Sequence, residues 1–433
     1  VDSADRSDGR RTPAPEAPAR WRDDAAWLAV AFVAALAVRA AYALTQAPID
    51  WPDSHTYFAN GLALLARGRI ESDLVMPLYP ALLALAGWDG VRVVQIVATS
   101  ALVLVVYGLV RSLTAERLAP RVGALLIALE PATIFYANQR LTESIFAVLL
   151  AIGLLALYRA RPVLGSVLLV AGLLVRPALD LLLPALVVVT ALVVASRDAA
   201  PRASVGRWVA VYALAYVLLM APWWVHNHAR YDRFVRLNLG DGQVARVEQN
   251  DVFVAHGFDW PKLRVVQREF AHVADPVERN AAYRDAAREF VLADPVRYAA
   301  LAIRRLGRFW SPVIDQSDPF TSRRVRWPAF VFTLLLYAGA LGWLLTGRDL
   351  GRRWFAASPI LLVAAYLTLV HVALHALVRY RYPLTPLLCA LAAPGLVQFA
   401  RAWSRTQAAA FLRSATNAAY SRSRAEGSGT RSR

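Results

Sequence analysis

Residues 26–58 read AWLAVAFVAALAVRAAYALTQAPIDWPDSHTYF, and the fold turns on how this stretch is read. Its first part, Ala26–Gln46, is an apolar run of the length that crosses a bilayer. Its second part carries two carboxylates, Asp50 and Asp53, beside Trp51, His55 and Tyr57, where the chain would leave the membrane. A carboxylate at a membrane mouth is placed to act as a general base at the lipid surface. The same residues also fit ordinary loop polarity, so the rest of the chain has to decide.

The chain of 433 residues is 58% hydrophobic, against about 45–50% for an ordinary soluble domain. Several further runs exceed the ~18 residues expected of a transmembrane helix. We therefore expect an all-α polytopic membrane protein. The net charge of +17 is carried by arginine, with Lys262 the only lysine. These arginines fall in short loops and in the tails, as the positive-inside rule requires. No basic groove or motif accompanies them, which argues against nucleic-acid binding. The one cysteine, Cys389, lies in an apolar run. It permits no intrachain disulfide and speaks against a cysteine-based metal site.

About ten spans follow from length and apolarity: Ala26–Gln46, Val91–Leu113, Val122–Ala137, Leu141–Tyr158, Val163–Val175, Ala178–Ala195, Trp208–Val225, Trp327–Leu345, Phe355–Leu377 and Leu384–Ala400. Arg176-Pro177 either breaks a helical hairpin or kinks one long helix. Arg111, Arg117, Arg121, Arg159, Arg161, Arg197, Arg202, Arg207, Arg348, Arg352, Arg353, Arg401 and Arg405 all fall on one side. That side should be the cytoplasm of a bacterial plasma membrane, with both termini on it. The expected organisation is a disordered tail (1–25), a transmembrane core (26–226) with an outer loop at 47–75, an outer soluble domain (227–326), further spans (327–403) and a second disordered tail (404–433). The N-terminal tail lacks the cleavage pattern of a signal peptide. In the outer loop, Ser54–Arg67 reads as a helix lying in the membrane surface and Met76–Gly87 as an interfacial or re-entrant helix. In the outer domain, Pro276–Leu292 and Pro295–Trp310 read as helices with proline in the first turn, and the stretch before them is loop-rich.

Every polar cluster of interest falls on the outer face. Asp50 and Asp53 are joined there by Glu130, Asn138, Gln139, Arg140 and Glu143, by Arg176 with Asp180, by His226, Asn227 and His228, and by Arg379, Tyr380, Arg381 and Tyr382. Ionisable groups at membrane depth need a partner or a function. Arginine suits phosphate, carboxylates suit hydroxyl groups, and Trp51, Tyr57, Tyr136 and Trp223 offer apolar faces to a sugar ring or lipid chain. Phosphate, sugar and lipid together describe a polyprenyl-phosphate sugar.

The order of motifs resembles the GT-C superfamily of membrane glycosyltransferases, specifically the bacterial dolichyl-phosphate-mannose-protein mannosyltransferase-like group. The resemblance runs from the first span to Pro386. It rests on Asp53-Ser54-His55-Thr56-Tyr57, Gly68-Arg69, Met76-Pro77-Leu78-Tyr79-Pro80, Leu141-Thr142-Glu143-Ser144-Ile145-Phe146, Leu174-Val175-Arg176-Pro177, Ala221-Pro222-Trp223-Trp224-Val225-His226-Asn227 and Arg379-Tyr380-Arg381-Tyr382-Pro383. Ser54 stands where many members have glutamate, which argues against a paired-carboxylate or metal mechanism there. His226 stands where many have arginine.

The resemblance implies a GT-C-type bundle and inverting transfer from a polyprenyl-phosphate sugar to a hydroxyl of a cell-envelope glycan, lipid or protein. It points to Asp53 as general base, with a neighbouring arginine to hold it ionised. Arg176, Arg379 and Arg381 become candidates for the phosphate, and Asp50, Tyr57, Glu143 and Tyr382 for sugar or acceptor. A phosphate leaves readily, so no metal or other cofactor is required. The blander readings are that Asp50 caps a turn, Glu143 caps a helix, and the arginines anchor helix ends. The rival function is a transporter or lipid flippase, which would commonly show two repeated halves; no internal repeat is visible.

Overall fold

The computed structural model describes residues 24–198, 203–313, 323–347 and 349–428. Residues 1–23 of the expected tail lie outside them, and its end is ordered, with Asp24 buried and Ala25 opening the first helix. Among the described residues the chain is helical and without strands. The first half holds α1 (Ala25–Thr45), α2 (Pro52–Arg67), α3 (Leu78–Ala86), α4 (Gly90–Leu113), α5 (Ala119–Leu129), α6 (Pro131–Ala137), α7 (Thr142–Tyr158), α8 (Pro162–Val175) and α9 (Leu183–Asp198). The second half holds α10 (Ala203–Tyr231), α11 (Asp241–Glu248), α12 (Asp251–His256), α13 (Trp260–Gln267), α14 (Pro276–Ala293), α15 (Pro295–Phe309), α16 (Arg323–Leu345), α17 (Leu350–Ala373) and α18 (Thr385–Ser428).

Each expected span coincides with helix, but not all are full spans. Among the described residues, six helical segments are long and apolar enough to cross a bilayer: α1, α4, α10, α16, α17 and Val378–Gln407. The pair α6 and α7, bent by 120°, makes a seventh at most, whereas α5, α8 and α9 are apolar but shorter. The expected span Val122–Ala137 is broken at Glu130-Pro131. Glu130 is extended there, and its buried carboxylate caps α6, accepting from the Ala132 N–H at 3.1 Å and the Thr133 hydroxyl at 2.7 Å. The carbonyls orphaned at the end of α5 are met by Arg39, a fully buried guanidinium in the middle of α1. It donates to Ile127 O at 2.9 Å and Ala128 O at 3.0 Å. A helix end buried away from water demands such a partner.

Arg176-Pro177 is a break and not a kink. Arg176 is extended (φ −153°, ψ 121°), Pro177–Leu179 forms one 3-10 turn, and α9 starts only at Leu183. The last helix runs past Ala400, and where an irregular tail was expected from Ser404 the backbone stays helical to Ser428.

Helices α16 and α18 meet through glycines. A Cβ on Gly395 would lie 1.9 Å from Gly339 O, so the backbones are in contact, as small residues allow in membrane bundles. Gly395→Ala is expected to cost about 1–3 kcal/mol through overpacking. A detergent melt followed by tryptophan fluorescence reads this directly, and an unchanged midpoint would disprove the close approach.

Outside the bundle, α2 and α3 pack on each other, and Tyr79 of α3 donates to Gln95 Oε1 of α4 at 2.8 Å. The outer segment carries α11–α15. Its later pair lies where expected, capped by Asp275 and Asp294 with Pro276 and Pro295 in the first turn. Its earlier part is three short helices, of which α12 and α13 start at side-chain caps, Asn250 and Asp259. Asp73, in the loop after α2, ties this segment down. It pairs with Arg230 at the end of α10 (2.6 Å) and Arg279 of α14 (3.0 Å).

Candidate functional site

Asp53 sits in the first turn of α2, just after Pro52. Its side chain is 44% exposed, and Arg379 Nη2 donates to its Oδ2 at 3.0 Å. Arg379 belongs to the 3-10 segment Val378–Leu384, and its Nε lies 3.7 Å from Glu143 Oε1. Glu143, in the first turn of α7, has a side chain only 3% exposed and receives Arg176 Nη1 at 2.7 Å. Arg176 also donates to the Thr142 hydroxyl at 3.3 Å, which in turn donates to Glu143 Oε2 at 3.2 Å. Four distant stretches thus build one alternating series: Asp53, Arg379, Glu143, Arg176. Both carboxylates stand at helix N-termini and Arg176 at the C-terminal end of α8, so each charge also suits the local helix dipole.

Aromatic rings frame the series. The Arg379 guanidinium lies 5.4 Å from the centres of both the Trp51 and Tyr380 rings, and that of Arg176 lies 4.7 Å from Tyr380. His371 stacks on Tyr380 at 4.8 Å. Tyr57 packs edge-on against Tyr79 at 5.3 Å. Burial, with the Asp53 and Glu143 charges beside it, pushes its phenol well above the usual tyrosine value. Tyr57 therefore stays a neutral hydrogen-bond donor.

The remaining sequence candidates lie elsewhere. Asp50 is 78% exposed and pairs with His55 at 2.5 Å, away from the series. Arg381 and Tyr382 are buried on another side of their segment. Arg381 donates to Ser311 O at 3.2 Å, and Tyr382 packs on Tyr136 at 4.7 Å. Together with Glu130 they line a small cavity that includes none of Asp53, Arg379, Glu143 and Arg176. His226 accepts the Ile70 N–H at 3.0 Å, and Asn227 donates to Val235 O and Leu237 O at 2.8 Å each, so this motif braces the outer loop and the chain after α10.

Several supporting residues had been given no role from the sequence. Gln139 Oε1 accepts from the Ile49 N–H at 2.9 Å and Trp51 Nε1 at 3.3 Å, which orients Trp51. Ser54 donates to Arg140 O at 2.8 Å, and Arg140 donates to Trp88 O at 2.7 Å. Ser54 is thus a pin between α2 and the α6–α7 turn. His371 was hidden within an expected span, where a histidine in an apolar run was its only mark.

Behind the site lies a second buried charge cluster. Glu248 of α11 meets His375 (2.6 Å), Arg305 (3.2 Å) and Arg308 (3.1 Å) and accepts the Ala376 N–H at 3.0 Å. Burial pushes this carboxyl up, but the His375 hydrogen bond and the Arg308 and Arg305 guanidiniums outweigh it and hold it at about 2. Glu248 therefore clamps the turn that precedes Arg379. Among the described residues no group of three or more His, Cys, Asp or Glu side chains is placed to hold a metal ion.

No protein-family model matches the chain, and no curated protein does. Solved structures do match. The apo oligosaccharyltransferase of Archaeoglobus fulgidus superposes with TM-score 0.55 at 14% identity, covering 90% of this chain and 53% of that one. The AglB oligosaccharyltransferase from the same organism, in complex with an inhibitory peptide and a dolichol-phosphate, gives 0.54 at 14% identity, covering 90% and 52%. ArnT from Cupriavidus metallidurans, bound to undecaprenyl phosphate, gives 0.40 at 13% identity, covering 87% and 77%. The chain spans about half the length of the oligosaccharyltransferase structures it matches. Its all-α polytopic fold is that of the membrane part of these oligosaccharyltransferase structures.

Proposed function

We propose that the chain is a membrane glycosyltransferase that moves a sugar from a polyprenyl-phosphate donor to a hydroxyl group at the outer face of a bacterial plasma membrane. The observation that carries this reading is the series Asp53–Arg379–Glu143–Arg176, with a half-exposed carboxylate at one end and two arginines sharing one buried glutamate. In the proposed reaction the acceptor oxygen attacks the anomeric carbon and the bond from that carbon to the phosphate oxygen breaks. Asp53 takes the acceptor proton, and Arg379 holds its carboxylate in place beforehand. Arg379 and Arg176 meet the charge that grows on the leaving phosphate. Glu143 holds both guanidiniums in place, and Tyr57 and Trp51 border the sugar. Arg381 and Tyr382 shape the segment from behind, and no step is routed through a metal.

Purified protein in liposomes should release polyprenyl phosphate and label an added acceptor when given a labelled polyprenyl-phosphate sugar. Transbilayer movement of the lipid without transfer, across a panel of glycan, lipid and peptide acceptors, would favour the transporter reading. Arg379→Lys keeps the charge but loses the planar fork. Its kcat/KM for donor is expected to fall roughly 10- to 100-fold, the worth of a charge-assisted hydrogen bond of ~1.5–3 kcal/mol. A wild-type value would remove Arg379 from the site.

A further inference from the structure

Helix α15 carries four arginines and no acidic residue. Two of them turn inward, Arg305 and Arg308, both onto Glu248. The opposite face is apolar and bare: Val296 is 80% exposed, Ile303 71% and Leu306 43%. These positions share one side of the helix at the i, i+7, i+10 spacing, and Arg304 stands exposed beside them.

The contacts of α15 with α17 set its depth. Tyr298, near the start of α15, donates to the carbonyl of Ala373, the last residue of α17, at 3.0 Å. Trp310, just past its end, donates to the Thr368 hydroxyl at 3.2 Å. Thr368 lies five residues inside α17, about 7.5 Å along the axis from Ala373. The bare face therefore spans the level at which a membrane-crossing helix ends, and its far end dips below that level. Trp327, in the first turns of α16, is also exposed, as suits a membrane–water boundary.

We propose that α15 lies in the bilayer interface, its Val296–Ile303–Leu306 face inserted among acyl chains and Arg304 on anionic headgroups. An amphipathic, arginine-bearing helix at this depth, continuous with the lipid-facing surface of the spans, fits a lipid partner in both its apolar and its charged parts.

The test places a nitroxide at Ile303→Cys, and separately at Leu306→Cys, in Cys389→Ser protein reconstituted in nanodiscs of phosphatidylcholine with phosphatidylglycerol. Asp285→Cys, exposed on α14, is the aqueous control. Labels at 303 and 306 should collide severalfold more often with oxygen than with a water-soluble nickel chelate, and the control should do the reverse. Arg304→Gln should make the 303 label shallower only when phosphatidylglycerol is present. Chelate-dominated collisions at 303 and 306 would overturn the proposal. Shielding from both reagents, with spin–spin broadening between labels, would overturn it in favour of a second copy of the chain.

Discussion

Asp53→Asn is expected to lower transfer by a factor of about 10²–10⁴, the contribution of a well-placed general base. The amide keeps the size of the side chain and an oxygen for Arg379 but cannot accept the acceptor's proton. The Asp53–Arg379 pair is half-exposed on its acidic side, and such pairs are worth about 0–1 kcal/mol. Folding should therefore hold, and a lost rate with an unchanged melting midpoint would separate chemistry from stability. Asp50→Asn is the informative control. Asp50 stands three residues away but faces water with His55, so its transfer rate should stay near wild type. Equal losses in both variants would mean that the acidic loop acts as a whole, and retained activity in Asp53→Asn would remove the base.

Glu248→Ala is expected to cost about 3–5 kcal/mol, because removing one partner of a buried ion pair strands the other. Arg305 is fully buried, and the Ala376 N–H would lose its acceptor. Hydrogen exchange over residues 374–380 should rise sharply, and transfer should fall with it, since Arg379 follows the released turn. The same group predicts acid sensitivity. Its folded value of about 2 lies below the ~4.3 of an unperturbed glutamate. The stabilisation is thus fully present above about pH 5 and fades as pH falls toward 2. Wild-type exchange in this turn should rise over that interval. Glu248→Gln, which carries no ionisable group there, should show fast exchange at every pH. A pH response shared by both would assign the effect to another carboxylate.

Much of the architecture was legible because apolar length is a local property. Each of the ten expected spans overlaps helix, though only six or seven helices are long enough to cross a bilayer, and Pro276 and Pro295 mark helix starts through a rule of the first turn. The break at Glu130-Pro131 was not legible, since the residue that makes it tolerable, Arg39, lies 88 residues before the Ile127 carbonyl it meets. The site shows the same division. Asp53, Glu143, Arg176 and Arg379 each stood out as polar residues at span ends, but Asp53 and Arg379 are 326 residues apart. Only packing shows that they touch, whereas Arg381 and Tyr382, one turn on, face another way. Glu248 carried no mark in the sequence because nothing near it needs a charge; its partners come from α15 and the turn after α17.

The short helices α5, α8 and α9 have a consequence for the host bilayer. Helix α8, with 14 residues, is about 21 Å long, well under the ~30 Å of a hydrocarbon core. Thinning of the bilayer beside such a helix is one way to meet the mismatch, at a cost that grows with each ångström. It would form a dimple in the leaflet near the end of α8, where Arg176 stands. Acyl-chain length becomes a control on the protein: thin bilayers relieve the dimple, and thick, sterol-like ones work against it.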